Sequence, residues 1–158
     1  MKTLEEFKYH LKSYNSDVVA EKRELNGEVF TPTELVQQIL DQFPVTEFHD
    51  HSKTWIDHAV GNGQLLSEVL IRKLEHDSTL EQALSTIYGV EINEENVIAC
   101  RERLLCGQEH LRQIVERNIV CADALRYHYR FDGSHPYDDE VEAQKKQEHF
   151  DSLYSFDQ

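Results

Sequence analysis

Three times along the chain, a short run of strand-forming residues ends at or beside an acid: Thr54-Trp55-Ile56-Asp57, Thr86-Ile87-Tyr88-Gly89-Val90-Glu91-Ile92, and Asn118-Ile119-Val120-Cys121-Ala122-Asp123. The stretches between them have helical spacing. Leu65, Leu66, Val69, Leu70 and Leu74 fall on one apolar stripe, and Asn93 to Leu105 reads as a second helix with Asn93 as its cap. Strands separated by helices pair in parallel through right-handed crossovers rather than as hairpins. The pattern predicts an α/β fold: a partial parallel sheet in a three-layer arrangement with helices on both faces.

The flanks fill in the organisation. Leu4, Phe7, Leu11 and Tyr14 predict an amphipathic helix over Leu4 to Val19. Thr31, Pro32 and Glu34 read as a cap, a first-turn proline and a capping-box acid. The stripe Leu35, Val36, Ile39, Leu40 and Phe43 follows, closed by Pro44. The expected parts are an N-terminal helical segment at 1–26, an α/β domain at 27–131 and an acidic tail at 132–158. That tail holds eight acids against Lys145 and Lys146, six of the net charge of −14. Phe150 to Tyr154 is its one candidate for a fourth strand.

Composition narrows the class. A chain of 158 residues with 39% hydrophobic content supports one domain with a core. No apolar run approaches the roughly 20 residues that span a bilayer, and the start lacks a secretory pattern. Three cysteines (Cys100, Cys106, Cys121) without C-x-x-C spacing point to reduced thiols and a cytoplasmic setting. Cys100 and Cys106, on the second helix, are expected to be buried and inert. The acidic balance repels a polyanion, so DNA is expected to be met only weakly or through a partner.

In open parallel sheets ligands bind beyond the carboxyl ends of the strands. Asp57, Glu91 and Asp123 occupy those positions here, and buried strand ends shed charges unless something hydrogen-bonds to them. Between the first strand and its helix runs Asp57-His58-Ala59-Val60-Gly61-Asn62-Gly63, whose glycines permit a tight turn and close approach of a ligand. The single G-x-G lacks the third glycine of a dinucleotide fingerprint, which disfavours a plain nucleotide-binding domain.

Taken in order, these segments resemble the S-adenosylmethionine-binding half of an N6-adenine DNA methyltransferase, of the restriction-modification and phage type. Glu28-Val29-Phe30-Thr31-Pro32 is similar to the family's segment over the methionine end of the cofactor. Asp57 to Gly63 is similar to its glycine loop, usually Asp-Pro-Ala-x-Gly-x-Gly, with His58 in place of the proline. Tyr88-Gly89-Val90-Glu91-Ile92 and the run Asn118 to Leu125 match the next two motifs. The resemblance implies a Rossmann-like methyltransferase fold and bacterial or phage-infected cytoplasm. It implies cofactor contacts from Phe30, Thr31, Asp57, Ala59, Gly61, Gly63, Glu91, Ile92, Asp123 and Ala124. Glu91 would accept both ribose hydroxyls, Asp123 the adenine amine, and Ile92 would lie on the adenine face. Asp57 would meet the ammonium. Phe30 would sit beside the sulfonium and the Thr31 hydroxyl on the carboxylate.

The family's catalytic tetrapeptide, Asn/Asp-Pro-Pro-Tyr/Phe, does not occur in these 158 residues. Phe150-Asp151-Ser152-Leu153-Tyr154-Ser155 is similar to its lead-in, but Phe156-Asp157-Gln158 stands where it would begin. The resemblance therefore implies cofactor binding with no catalytic residue in hand: a truncated enzyme inactive alone, or one half of a split enzyme completed by a second chain. The competing reading is a non-catalytic acidic module that inhibits a restriction or methyltransferase complex, its charge imitating a DNA backbone. Elsewhere, His49-Asp50-His51 reads as solvated rather than metal-binding. Tyr127-His128-Tyr129-Arg130 reads as the rim of the sheet. Arg101, Arg103 and Arg112 are expected to pair with acids.

Overall fold

The computed structural model describes residues 1–15 and 31–154. Its elements, in order, are α1 (Leu4–Lys12), α2 (Thr33–Leu40), α3 (Thr46–His49), β1 (Trp55–Asp57), α4 (Gln64–Glu75), α5 (Leu80–Leu84) and β2 (Ile87–Glu91). Then come α6 (Glu94–Leu105), a 3-10 turn at Glu109–Leu111, α7 (Arg112–Asn118), β3 (Ile119–Cys121) and α8 (Asp138–Tyr154). The strands form one parallel sheet in the order β1-β2-β3.

Register separates the two faces. Trp55 pairs with Ile87, and Gly89 with Ile119, on one side; Ile56 pairs with Tyr88, and Val90 with Val120, on the other. The first side meets the main core, where Ile87 and Ile119 join Leu66, Val69 and Leu70 of α4, Val97 and Leu104 of α6, and Leu11 of α1. Both crossovers step in the same direction along the sheet, so right-handedness places α4 and α6 on one face together. The second face carries no comparable helical layer among the described residues. Val90 and Ala122 are covered there by Tyr127, with Val120, Ala124, Phe131 and Tyr137 around them. The expectation of helices on both faces is thus corrected to helices on one face and an aromatic loop on the other. Tyr137 of the tail belongs to that cover, so the packed unit continues past residue 131.

Three other expectations change. α1 ends at Lys12, and residues 16–19 of the predicted helix lie outside the described residues. α2 begins at Thr33 behind Pro32 with no side-chain cap, so Thr31 is not its cap. Instead the Thr33 hydroxyl accepts the Gln64 side-chain N–H at 3.0 Å, tying α2 to α4. Phe150 to Tyr154 is helical, the last turns of α8, not a strand. The preceding Glu, Gln, Lys and Ala residues favour a helix, and once nucleated it extends cheaply while no neighbouring ladder competes.

A buried cation stiffens the base of the sheet. Lys73 is fully buried, and its ammonium donates to the Lys53 carbonyl at 2.8 Å and the Thr86 hydroxyl at 2.9 Å. Those residues lead into β1 and β2, so one side chain sets the spacing of both strand starts. Burial holds its pKa below the ordinary lysine value. Leu70, at 0% exposure, sits at the centre of the α4 stripe. Leu70→Ala is expected to lower unfolding free energy by about 2–5 kcal/mol in urea titration, the range for a large-to-small change in a tight core.

Candidate functional site

The site begins where β1 stops. The Asp57 carboxylate accepts the Ala59 N–H at 3.0 Å, turning the chain over the strand end. Val60 then donates its N–H to the Val90 carbonyl at 3.0 Å, which lays the loop against β2. A Cβ at Gly89 would come within 3.0 Å of the Val60 side chain, so β2 needs a glycine at this crossing. Gly61 and Gly63 take left-handed conformations, φ +55° and +89°. A Cβ at Gly63 would lie 2.9 Å from Cys100 Sγ, because α6 passes directly beneath.

Glu91 joins this loop to the next. One carboxylate oxygen accepts the Gly61 N–H at 2.9 Å, and the other accepts the Asn93 N–H at 2.9 Å. Each oxygen keeps a further acceptor lobe. Ile92, the next residue, is 71% exposed despite being a large apolar side chain. From β3, Ala122 donates its N–H to the Glu91 carbonyl at 3.0 Å. The Asp123 carboxylate accepts the Leu125 N–H at 2.9 Å, and its own N–H donates to the Tyr137 hydroxyl at 2.6 Å. The Ala124 carbonyl accepts the Tyr129 hydroxyl at 2.7 Å.

Of the predicted residues, Asp57, Ala59, Gly61, Gly63 and Glu91 thus form one connected loop system. Ile92, Asp123 and Ala124 stand beside it on the neighbouring strand ends. Thr31 is half-buried, one residue before the N-cap of α2, the helix that Thr33 ties to Gln64. Phe30 lies outside the described residues. Burial pushes the Asp57 carboxyl up, the Glu91 charge adds to the rise, and the Ala59 N–H and His58 oppose it. Two acids close enough for the charge of Glu91 to raise the Asp57 carboxyl favour hydroxyl, amine or cationic ligands over anions.

The polar floor of the glycine loop was not foreseen. Arg103 is fully buried and, among the described residues, is held by amide and carbonyl oxygens rather than by an acid, contrary to expectation. Its guanidinium donates to the Asn15 side-chain oxygen at 2.6 Å, the Tyr14 carbonyl at 3.3 Å, and the side-chain oxygens of Asn62 and Gln64 at 3.4 Å each. Nε has no partner, and burial brings its pKa down to about 10. Partners scattered over two loops leave no periodic sequence signal. Arg101 also departs from expectation, donating to the Ile119 and Glu116 carbonyls. Arg112 does pair with acids, Glu102 and Glu109, at 2.7 Å each.

His51 contacts the Ser78 hydroxyl at 2.6 Å, and His49 lies against His76. No group of three metal-ligating side chains occurs among the described residues. Cys100 and Cys106 are buried, and desolvation lifts both thiols to about 12, far from reactivity at neutral pH.

A family model described as N-6 DNA Methylase matches residues 7–140. No curated protein matches the chain, and no solved structure does.

Gly63→Ala is expected to cost roughly 1–3 kcal/mol in denaturant unfolding, from its left-handed backbone and the Cys100 contact. Adding Cys100→Ala should relieve only the contact. For Asp57 the sign follows from its raised folded pKa. The protonated form is favoured in the fold, so its stability contribution is present at low pH and lost as pH rises through the raised value. Asp57→Asn keeps an acceptor for the Ala59 N–H without the charge. It should melt above the wild type at pH 7, the gap closing as pH falls to the ordinary carboxyl range of about 4.

Proposed function

The chain belongs to the N-6 DNA methylase family, and from that premise we propose that the loops beyond β1, β2 and β3 hold S-adenosylmethionine, the methyl donor this family generally uses. The observation that carries the reading is the Glu91 carboxylate. It is oriented by two backbone N–H groups and keeps an acceptor lobe on each oxygen for a ribose diol.

In this reading Ile92 offers an exposed apolar face to the adenine, and Asp123 accepts its amine. Gly61 and Gly63 leave backbone, not side chain, against the methionine portion. Asp57 faces its ammonium, a cation that would also draw the carboxyl back toward its ionised form. Ala59 and Ala124 line the loops as small residues, and Thr31 closes the methionine end. When bound, the cofactor supplies an electrophilic methyl group on sulfur; the residues of this chain bind and orient it.

Transfer to a DNA adenine needs an acceptor for the target amine and a ring to stack on the base. The tetrapeptide that does both in the family is absent from these 158 residues. We therefore assign the chain cofactor binding, with methyl transfer dependent on residues supplied by another segment or chain. The net charge of −14 fits DNA contact made through that partner rather than by this surface alone.

Calorimetric titration with S-adenosylhomocysteine tests the assignment. The wild type should bind one equivalent, and Glu91→Gln should bind at least tenfold more weakly, as expected when a charged acceptor of about 1.5–3 kcal/mol is neutralised. No heat from the wild type at millimolar ligand would remove the proposal.

A further inference from the structure

We propose that Tyr129 is a positioning residue, its hydroxyl clamping the glycine loop to the loop after β3 from the second face of the sheet. This rests on the reading of those loops as the cofactor site. The hydroxyl donates to the Ala124 carbonyl at 2.7 Å and lies 3.1 Å from His58 Nδ1. A phenol has one proton. With that proton on Ala124, His58 must present an Nδ1–H, so the contact selects its protonation pattern. The two rings also meet edge-on, centroids 5.5 Å apart.

The clamp spans 71 residues of sequence and the width of the sheet end, since β2 lies between the two loops it joins. It is held by a contorted turn. Tyr129 and Phe131 both adopt left-handed backbone, φ +56° and +48°, which bulky side chains rarely do. Neighbouring contacts enforce the shape. The Tyr127 hydroxyl accepts the Phe131 N–H at 2.9 Å, and the His128 N–H donates to the Pro136 carbonyl at 3.3 Å. Strain maintained by its surroundings marks a segment whose aim matters. Here it aims one hydroxyl at two functional loops.

The His58 end explains what the clamp supplies. His58 follows an extended strand residue, has negative φ, and its backbone N–H donates to nothing among the described residues. It is the first step of the turn that leads from Asp57 to Gly61 and Gly63, and among the described residues no backbone hydrogen bond of its own N–H fixes it there. Such a position accepts proline without losing a hydrogen bond, and proline would restrict it covalently. The Tyr129 hydroxyl restricts it through the side chain instead.

The test uses four full-length chains: wild type, Tyr129→Phe, His58→Pro and the double variant. Each is titrated with S-adenosylhomocysteine and, without ligand, followed by amide hydrogen exchange. Tyr129→Phe keeps the ring, so its thermal midpoint should stay close to wild type. Its affinity should fall about tenfold and exchange at residues 59–63 should quicken; the double variant should recover both. Unchanged affinity and exchange in Tyr129→Phe would overturn the clamp. So would a loss that His58→Pro does not repair, since that marks a general packing role. A wild type that fails to bind defeats the cofactor reading, while the exchange data still decide the clamp.

Discussion

A carboxylate at the end of the central strand, gripped by one backbone N–H from each adjoining loop, organises this molecule. Glu91 is that group, and Gly61 and Asn93 are its donors. The grip demands that the glycine loop lie flat on β2, which requires Gly89 to have no side chain beneath Val60. It also demands the left-handed turn at Gly61. Truncating the acid would free two amides and loosen both turns at once, whereas a glutamine here keeps one acceptor oxygen. Structure and proposed chemistry therefore meet in one residue: the same charge that shapes the loops is the acceptor offered to a ligand.

The sheet is finished unevenly, and that follows from its topology. Two right-handed crossovers in one direction load α4 and α6 onto a single face, where α1 completes the core. The opposite face receives a short aromatic segment that turns back from β3, with Tyr127 buried and Tyr137 bonded to Asp123. Ile56, on that face of β1, stays 44% exposed. Parallel sheets are ordinarily covered on both sides. Among the described residues, β1 ends the sheet on one side, and Ile56 is the apolar residue left open on that face.

Much of this was legible in the residues because the signals were local. The three strands, the Asn93 cap and the α4 stripe rest on periodicity and capping over a few positions, and the structure has them where expected. The glycine loop and the acids at 57, 91 and 123 are likewise read from adjacent residues. What could not be read depended on long-range pairing. Arg103 resembles a surface arginine, yet it is buried against amides from distant loops. Phe150 to Tyr154 alternates like a strand, but strand formation needs a neighbour and helix formation does not. Tyr129 and Tyr137 acquire their roles only once the turn after β3 folds them back to loops they follow or lie far from in sequence.

The loops at the strand ends around Glu91 are the proposed cofactor site. Its most direct check is a heteronuclear NMR titration of the intact chain with S-adenosylhomocysteine, read residue by residue. The account predicts saturable shifts concentrated at the backbone amides of Gly61, Gly63, Ile92 and Asp123, with those of Lys73 and Thr86 at the far end of the sheet undisturbed. Shifts absent throughout, or gathered on the cleft formed by Tyr88, Arg117 and Phe131 instead, would contradict it.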